Sequence, residues 1–355
     1  MLLRRLPLQL LKLRPISTQL PSKLPIVTRS YTIMTTERKI TDWVPKDSKT
    51  GEFNRLASTF RHQISRTSSD LPPESNRYHL YVSYACPWAH RTLIVRALKG
   101  LEKHISVSVV HWHMGPSGWR FGEEGEGEEI QKAPEPNTGA KFMRDIYNTV
   151  EGYDGRFTVP LLWDKKMNRI VNNESSEIIR MFYEEFDDIL PEEKRGNSYY
   201  KEEDRQRIDE FNGWVYETVN NGVYKSGFAT TQEAYEKAVI SLFSSLDKIE
   251  AILRESSGPY IFGSSLTEAD IRLYPTIIRF DPVYVQHFKT NLKMIRHDYP
   301  NIEKWLRHLY WDIPAFRETT NFEHIKKHYT KSHPQINPHG ITPLGPVPDI
   351  LPKNA

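Results

Sequence analysis

The segment Tyr81-Val-Ser-Tyr-Ala-Cys86-Pro87-Trp88-Ala89-His90-Arg91 joins a predicted strand to a predicted helix and carries the only cysteine in 355 residues. Residues 79–84 are mostly apolar and aromatic, with the β-branched Val82 among them, a pattern typical of a strand. Residues 89–101 have helical periodicity, with one face made by Leu93, Ala97, Leu98 and Leu101. Proline suits the first position of a helix, so Cys86 is expected at or beside the N-cap.

A cysteine at a helix N-terminus is expected to be a nucleophile. Its sulfur faces unpaired backbone N–H groups and the positive end of the helix dipole, and both lower the pKa of a thiol. We expect His90 and Arg91 to lower the pKa of Cys86 further. The alternative is a buried structural thiol, the usual fate of a lone cysteine, but the strand–Cys-Pro–helix setting favours the nucleophile.

The single cysteine also limits the chemistry. It excludes an intrachain disulfide and a cysteine-based zinc site, and Ala89 stands where a dithiol motif would have its second cysteine. A metal site at His111 and His113 is not favoured, because no third ligand is in sight. A mixed disulfide on Cys86 must therefore be resolved by an external thiol, for which glutathione is the candidate in a reducing compartment.

Composition predicts a globular protein of about two domains. Hydrophobic residues make up 38% of the chain, the mean hydropathy is −0.60, and no apolar run approaches the ~20 residues of a membrane span. The net charge of +3 comes from residues 1–33, which hold six cations and no acid, so the remainder carries a net charge of −3. This distribution gives no argument for a nucleic-acid partner.

Residues 1–33 have the composition of a mitochondrial transit segment. They are rich in Arg, Leu, Ser and Thr, and the first acidic residue is Glu37. Arg29-Ser30-Tyr31 is a candidate processing point, and Met34 offers a second start that would leave a cytosolic form. We expect a mitochondrial protein with a cytosolic form started at Met34; the alternative is a disordered tail with no targeting role.

The order of predicted elements indicates a thioredoxin-like domain over residues 78–190. A strand, a helix and a second strand at 78–84, 87–101 and 105–112 imply a parallel pair joined by a crossover helix. The later elements are an acidic loop expected to be too polar to pack, a helix, a β-hairpin and a last helix, at 122–139, 142–150, 158–171 and 174–186.

An all-helical domain is predicted over residues 197–331. Helical periodicity spans 199–216, 231–256, 268–278, 291–296 and 301–311. An N-terminal extension at 34–77 precedes the first domain. An extended tail at 332–355 follows the second, and its His333 and His339 are expected to serve packing.

Eight blocks of this sequence resemble the Xi-class glutathione transferases, the glutathionyl-hydroquinone reductases, whose fungal members are also called omega-like transferases. The resemblance runs from about residue 40 to 350. It implies an α/β thioredoxin-like domain followed by an all-α domain, a homodimer, glutathione as co-substrate and no metal. The blocks are Cys86-Pro-Trp-Ala-His-Arg, Gly118-Trp119-Arg-Phe121, Thr158-Val-Pro-Leu-Leu-Trp-Asp-Lys-Lys166, Asn173-Glu-Ser-Ser-Glu-Ile-Ile-Arg-Met181, Asn220-Asn-Gly-Val-Tyr-Lys-Ser-Gly-Phe228, Leu266-Thr-Glu-Ala-Asp-Ile-Arg-Leu273, Arg279-Phe-Asp-Pro-Val-Tyr284 and Ile336-Asn-Pro.

The same resemblance implies a glutathione site. Val159 precedes Pro160, which the family implies is cis, and the free backbone of Val159 would pair with the cysteinyl part of glutathione. Glu174 and Ser175 lie at a predicted helix N-terminus, which suits the γ-glutamyl carboxylate, and Glu174 would take the ammonium group. Ordinary helix capping is the alternative for both residues.

Further side chains are implied to cover glutathione and the acceptor substrate. Trp119 would close over the tripeptide, with core packing as the alternative, and Arg144 would meet the glycyl carboxylate. Tyr224, Tyr284 and Tyr329 resemble the family's tyrosines over the acceptor pocket. A phenol can hydrogen-bond a hydroquinone oxygen and supply a proton to the leaving ring carbon, and Tyr224 and Tyr329 are the candidates for that role.

The resemblance implies reduction of glutathionyl-hydroquinones to hydroquinones. The Cys86 thiolate would attack the sulfur, a tyrosine would protonate the leaving ring, and a second glutathione would release the mixed disulfide as oxidised glutathione. Two alternatives stay open. One is an omega-like transferase with thiol transferase or dehydroascorbate reductase activity, and the other is a non-catalytic, transferase-like interaction module.

Overall fold

A computed structural model describes residues 49–355 of the chain. The predicted transit segment at 1–33, the second start at Met34 and the first part of the extension at 34–77 lie outside the described residues. Over residues 49–355, no helix has both the length and the apolar character needed to cross a membrane.

A four-stranded sheet forms the centre of the N-terminal domain. Strand β1 is buried along its whole length, pairs in parallel with β2 and antiparallel with β3, and β3 pairs antiparallel with β4. The spatial order is β2-β1-β3-β4. The strands are β1 Tyr78–Val82, β2 Ser106–Val109, β3 Leu161–Asp164 and β4 Arg169–Asn172.

Three helices accompany this sheet: α1 Pro87–Lys99, α2 Met143–Tyr147 and α3 Ser175–Glu184. Helix α1 starts directly after Cys86 and ends where Gly100 takes a φ of 72°, a conformation that glycine adopts without steric cost. Helix α1 forms the crossover between β1 and β2 and packs against α3. The predicted thioredoxin-like order of elements is therefore confirmed.

The acidic loop at 122–139 packs against the domain, so the expectation that it is too polar to pack is wrong. Ile130 is buried, and the N–H of Gly122 donates to the carbonyl of Gln131 at 2.8 Å. Glu135 is also buried, and its carboxylate accepts hydrogen bonds from the turn that follows it. A carboxylate satisfied within its own turn can be buried at low cost.

The C-terminal domain is helical, as predicted. Three short 3₁₀ turns lead into it, at Asp187–Ile189, Glu192–Lys194 and Glu202–Asp204. Two π-helical turns interrupt it, at Tyr216–Asn220 and Phe280–Tyr284. Its helices are α4 Arg205–Val215, α5 Gly222–Phe228, α6 Gln232–Glu255, α7 Glu268–Ile277, α8 Val285–His287, α9 Ile295–Asp298, α10 Pro300–Asp312, α11 Pro314–Arg317 and α12 Phe322–Ser332.

Several boundaries differ from the prediction. Helices α5, α8, α11 and α12 were not predicted, and α4 begins at Arg205 rather than at 199. The predicted helix at 291–296 is confined to α9, because the carboxylate of Asp281 accepts the N–H groups of Ile295 and Arg296 and fixes the helix start there.

The tail at 332–355 is held against α10. The indole of Trp311 donates to the carbonyl of Leu351 at 2.9 Å, and Ile350 is buried. His333 is buried against Phe288, as expected for a packing residue. His339 is exposed, so the expectation that it packs is wrong.

Candidate active site

Cys86 is the N-cap residue of α1, as the sequence predicts. Its backbone is extended, with φ −77° and ψ 120°, and it is 8% exposed. The thiol donates to the carbonyl of Val159 at 3.3 Å. The backbone N–H groups of Trp88 and Ala89 face the sulfur, so the helix start offers two donors to a thiolate.

Burial nevertheless raises the pKa of the Cys86 thiol. The N–H groups of Ala89 and Trp88 and the charges of Arg279 and Arg55 lower it, but they do not offset the loss of hydration. The expectation of a lowered pKa for Cys86 is therefore wrong, because the sequence shows the helix dipole but not the depth of the site.

Neither His90 nor Arg91 supplies positive charge to the thiol in the way we expected. The Nδ1 of His90 is hydrogen-bonded to the Arg279 guanidinium at 3.0 Å, and burial together with the Arg279 charge holds the pKa of His90 well below its usual value. Arg91 lies over the Trp88 ring at 4.5 Å and donates to Asn220 Oδ1 at 2.8 Å. Its guanidinium is thus engaged with the helical domain.

Arg55 and Arg279 are the cations that act on Cys86, and sequence reasoning singled out neither as a site residue. Arg55 stands in the N-terminal extension, 4.7 Å from the centre of the Trp88 ring and 4.9 Å from that of Tyr224. No local pattern could have found these two arginines. Their side chains reach the neighbours of Cys86, Ala85 and Trp88, only when the extension and the helical domain fold against α1.

The Val159–Pro160 peptide bond is cis, in agreement with the family resemblance. It immediately precedes β3, and the Val159 carbonyl accepts the hydrogen bond of the Cys86 thiol. The neighbouring Thr158 carbonyl accepts the hydroxyl of Tyr147 at 2.9 Å. These contacts keep the loop backbone beside Cys86.

Glu174 and Ser175 mark the start of α3. The Glu174 carboxylate accepts from the N–H of Ser176 at 3.0 Å and from the hydroxyl of Ser58 at 3.0 Å. Burial acts to raise the pKa of Glu174, but these hydrogen bonds and the charge of Arg91 keep it below its usual value. Glu174 therefore caps its own helix, and Ser175 is buried at the first helical position.

Trp119 and Arg144 occupy different surroundings. Trp119 is buried and stacks on the His328 ring at 4.7 Å, which is a packing contact. The Arg144 side chain is 42% exposed, lies 4.0 Å from Asp145 and covers the Phe142 ring at 5.2 Å. Within the described residues, no hydrogen bond or ion pair joins Arg144 to the other predicted site residues.

The three tyrosines predicted for the acceptor pocket meet through their hydroxyl groups. Tyr329 Oη lies 2.7 Å from Tyr224 Oη and 3.0 Å from Tyr284 Oη. They come from α12, α5 and the π-helical turn before α8, three elements that are distant in sequence. All three side chains are buried.

Burial raises the pKa of each phenol, and it does so well above the usual value for Tyr284 and Tyr329. For Tyr224 the charge of Cys86 raises the pKa further, whereas the charge of Arg55 lowers it. The same Arg55 guanidinium also covers the ring of Trp88, two residues after Cys86, so the Tyr224 phenol lies near the start of α1. Neutral phenols at this depth can donate a hydrogen bond or a proton.

The structure places the two histidines considered as a metal pair in contact with one another. His111 Nδ1 accepts the backbone N–H of His113 at 2.9 Å, and both residues lie beyond the end of β2. In the part of the chain that the structure describes, no group of three or more His, Cys, Asp or Glu side chains is arranged to hold a metal ion.

Two family models match the chain. The model for the glutathione S-transferase N-terminal domain matches residues 85–185, and the model for the C-terminal domain matches residues 232–308. The first range contains Cys86, Val159 and Glu174, and the second contains Arg279.

Curated relatives extend the similarity over most of the chain. "Glutathione S-transferase omega-like 2" of Schizosaccharomyces pombe is 58% identical over 315 residues, covering 88% of this chain and 97% of the relative. "Glutathionyl-hydroquinone reductase YqjG" of Escherichia coli is 48% identical over 316 residues, covering 87% and 93%. Both names describe enzymes.

A solved structure agrees with this assignment. The Xi glutathione transferase ECM4 from Saccharomyces cerevisiae, in complex with glutathione, is 45% identical, covers 85% of this chain and 99% of its own, and superposes with a TM-score of 0.81. The protein described here therefore belongs to the glutathione transferase family and, within it, to the Xi class.

Proposed function

We propose that the protein reduces glutathionyl-hydroquinones to hydroquinones with glutathione as the reductant. The observation that carries this proposal is the hydrogen-bonded set of Tyr224, Tyr329 and Tyr284. The Arg55 guanidinium joins this set to the start of α1, because it lies over both the Tyr224 ring and the ring of Trp88, two residues after Cys86. Cleavage of a carbon–sulfur bond requires a proton for the ring carbon, and buried phenols beside a thiol can supply it. The name of the Escherichia coli relative supports the same reaction.

The reaction balances with two glutathione units and no other reductant. The Cys86 thiolate attacks the sulfur of the glutathionyl group, the carbon–sulfur bond breaks, and its electron pair moves to the ring carbon, which takes a proton from Tyr224. The products are the hydroquinone and a Cys86–glutathione disulfide. A second glutathione gives its thiol proton back to the Tyr224 phenolate. The resulting thiolate attacks the disulfide, releases oxidised glutathione and regenerates the Cys86 thiolate.

Glutathione recognition is proposed to use the residues around the start of α3. In this proposal, the backbone of Val159 pairs with the cysteinyl unit, which replaces the thiol of Cys86 at that carbonyl. The N-terminus of α3, with Ser175, binds the γ-glutamyl carboxylate. Glu174 binds the ammonium group while its carboxylate still accepts the Ser176 N–H. Trp119 and Arg144 are proposed to contact the remainder of the tripeptide.

The test is a side-by-side assay of the purified protein with a glutathionyl-hydroquinone, dehydroascorbate and an aryl halide. We expect turnover of the first, weaker activity with the second and negligible conjugation of the third. Cys86→Ser is the control, because a hydroxyl caps the helix but is a poor nucleophile at neutral pH. Full reductase activity in Cys86→Ser would contradict the mechanism.

One observation also favours a second activity. Exchange with a small mixed disulfide needs only the thiolate, since the departing group is itself a thiolate, and Cys86 has two backbone donors for it. Thiol transferase activity is therefore expected beside the main reaction. A protein that binds glutathione-agarose but turns over none of these substrates would instead be an interaction module.

A further inference from the structure

Arg279 is the most deeply buried cation near the active site. It follows α7 in the helical domain and is 0% exposed. In the described part of the chain, no carboxylate forms an ion pair with it. Two other arginines with little side-chain exposure differ in this respect, because Arg77 pairs with Asp164 and Arg296 pairs with Asp281.

The hydrogen bonds of Arg279 lead to the loop that carries Cys86. Its Nε donates to the carbonyl of Ala85 at 3.1 Å, and its Nη2 donates to the carbonyl of Tyr84 at 3.0 Å. The Nη1 donates to the Pro275 carbonyl at 2.7 Å. The guanidinium thus holds the two peptide units that directly precede Cys86.

The fourth contact of Arg279 decides which residue carries the positive charge. An arginine is always protonated and can only donate, so the bond between its Nη1 and His90 Nδ1 makes His90 the acceptor. His90 is then neutral and carries its proton on Nε2, which lies 3.0 Å from Thr319 Oγ1. The cation at this position is therefore Arg279 and not His90.

A buried charge without a counter-charge is costly unless something in the site balances it. Neutral carbonyls solvate the guanidinium of Arg279 but do not neutralise it. The groups that face Cys86 are Arg279, Arg55, the phenol of Tyr224, the Val159 carbonyl and the N–H groups of the first turn of α1. Cys86 and Tyr224 are the two groups in this set that can become anions, and a thiol has the lower ordinary pKa, about 8.5 against about 10 for a phenol.

We propose that Arg279 is the built-in counter-charge of the Cys86 thiolate and at the same time fixes the backbone that presents it. Arg279 is a positioning residue in this role, since it acts on the reacting sulfur through the peptide units of the loop and through its charge. This inference rests on the proposed function only in taking the Cys86 thiolate as the nucleophile. Burial raises the pKa of Cys86, and the charge of Arg279 opposes that rise.

The test is the rate of Cys86 alkylation by iodoacetamide as a function of pH, followed by mass spectrometry. The chain has one cysteine, so the measurement reports Cys86 alone. In Arg279→Gln we expect the midpoint to rise by about one pH unit or more, which lowers the rate at pH 7 by about tenfold. Arg279→Lys keeps the charge and is expected to recover most of that loss.

Arg91→Gln is the matched control. Arg91 is also buried and also lacks an ion pair among the described residues, but its guanidinium points to Asn220 and to the Arg272 carbonyl. We expect the alkylation profile of this variant to match the wild type. An unchanged profile in Arg279→Gln, or equal shifts in Arg279→Gln and Arg279→Lys, or an equal shift in Arg91→Gln, would overturn the proposal.

A second measurement keeps Arg279 in place, in case its substitution prevents folding. Cys86→Asp and Cys86→Asn have the same shape and both suit an N-cap, but only the aspartate carries the charge of a thiolate. We expect a higher Tm for Cys86→Asp at pH 7, and a gain larger than Asn321→Asp gives at the N-cap of α12. A Tm for Cys86→Asp at or below that of Cys86→Asn would overturn the proposal.

Neither measurement involves a hydroquinone. Failure of the reductase assay therefore leaves the Arg279 result intact, and failure of the Arg279 test leaves the proposed reaction intact.

Discussion

Tyr224 is the residue at which the proposed reaction departs from simple thiol–disulfide exchange. Its phenol is hydrogen-bonded to Tyr329 and lies under the Arg55 guanidinium. The charge of Cys86 raises the pKa of this phenol. Arg55 stabilises the phenolate that remains after proton transfer, while Tyr329 can donate a hydrogen bond to it. Tyr224 can thus donate a proton, and Arg55 and Tyr329 stabilise the phenolate that forms.

Tyr224→Phe should therefore slow glutathionyl-hydroquinone reduction by roughly tenfold or more, the usual contribution of general acid catalysis. Disulfide exchange with a small mixed disulfide should change little, because a thiolate leaves without a proton. Tyr329→Phe should show a weaker version of the same split. Steady-state rates for both substrates check this prediction.

Tyr299→Phe is the control for Tyr224→Phe. Tyr299 is also buried, but its hydroxyl donates to Asp247 at 2.9 Å, away from the tyrosine cluster. Removing this hydroxyl should change hydroquinone reduction and disulfide exchange to the same extent, or leave both unchanged. Equal losses of both activities in Tyr224→Phe would assign that residue to the fold or to glutathione binding.

Among the elements, α5 shows most clearly how packing overrides local propensity. It contains two glycines in seven residues, a composition that disfavours a helix. Gly227 is there because a Cβ at this position would lie 2.0 Å from the Phe288 ring. Phe288 in turn stacks on Tyr284 with an angle of 4° between the rings. The close approach of α5 and Phe288 thus shapes the tyrosine cluster.

Gly227→Ala is expected to destabilise the protein by about 1–3 kcal/mol, the usual range for overpacking, and to reduce hydroquinone turnover by displacing Phe288. Gly222→Ala, in the same helix, is the matched control. Its Cβ would meet Leu242 at 3.6 Å, an ordinary contact, so stability and turnover should hold. Urea titration and the reductase assay measure both effects. Similar losses in the two variants would contradict the steric argument.

Helix α10 carries a titratable group under the C-terminal tail. Glu303 is 6% exposed, its Oε1 lies 3.2 Å from Arg307 Nε, and its Oε2 has no hydrogen-bond partner among the described residues. Burial raises the pKa of Glu303 to about 7; the Arg307 charge opposes this rise and the Asp281 charge adds to it. The folded protein therefore holds a proton that the unfolded chain, with a pKa near 4.3, releases earlier.

The stability contributed by protonated Glu303 is full below about pH 4 and is lost as the pH rises through about 7. Glu303→Gln should remove this dependence and stabilise the protein at pH 8 by up to about 3 kcal/mol, at 1.36 kcal/mol per pKa unit. The gain should be smaller at pH 5. Urea midpoints at the two pH values test it, with the exposed Glu255→Gln as control. Equal gains at both values would contradict the linkage.

The parts of the fold that the sequence predicts are those with strong local periodicity. Helix α1 and strand β1 follow from the pattern on either side of Cys86, and α6 follows from its long helical periodicity. Helix α12 was missed although Asn321 caps it and Phe322, Ile325 and Tyr329 follow at helical spacing. That spacing was the available signal, and its charged and histidine-rich surroundings obscured it.

The electrostatics of the site could not be predicted in the same way. The helix N-terminus at Cys86 follows from Pro87, but the depth of burial that raises the pKa of Cys86 depends on the whole fold. The whole fold also decides which cations lower the pKa of Cys86: they are Arg279 and Arg55, not the expected His90 and Arg91. His90 and Arg91 are near Cys86 in sequence but contact other residues. Arg55 and Arg279 are distant in sequence, and tertiary folding brings their charges near the thiol.

At the scale of the whole molecule, the site is assembled from three parts of the chain. The thioredoxin-like domain supplies Cys86 and Glu174, the helical domain supplies the tyrosines and Arg279, and the N-terminal extension supplies Arg55. None of these parts holds the nucleophile, the proton donor and the counter-charges together. The proposed chemistry therefore depends on the docking of all three, and a truncated thioredoxin-like domain should lack it.

The last prediction concerns where the whole protein is found in the cell. Residues 1–33 carry six cations and no acid, a composition that import into mitochondria favours. Fused to a fluorescent reporter, they should carry it into mitochondria, whereas a protein started at Met34 should stay in the cytosol. Replacing Arg4, Arg5 and Arg14 with glutamine keeps the length and apolar pattern of the segment while removing half of its charge, and should weaken import. Microscopy and cell fractionation measure the outcome. A reporter that stays in the cytosol with the unaltered segment would leave residues 1–33 without a targeting role.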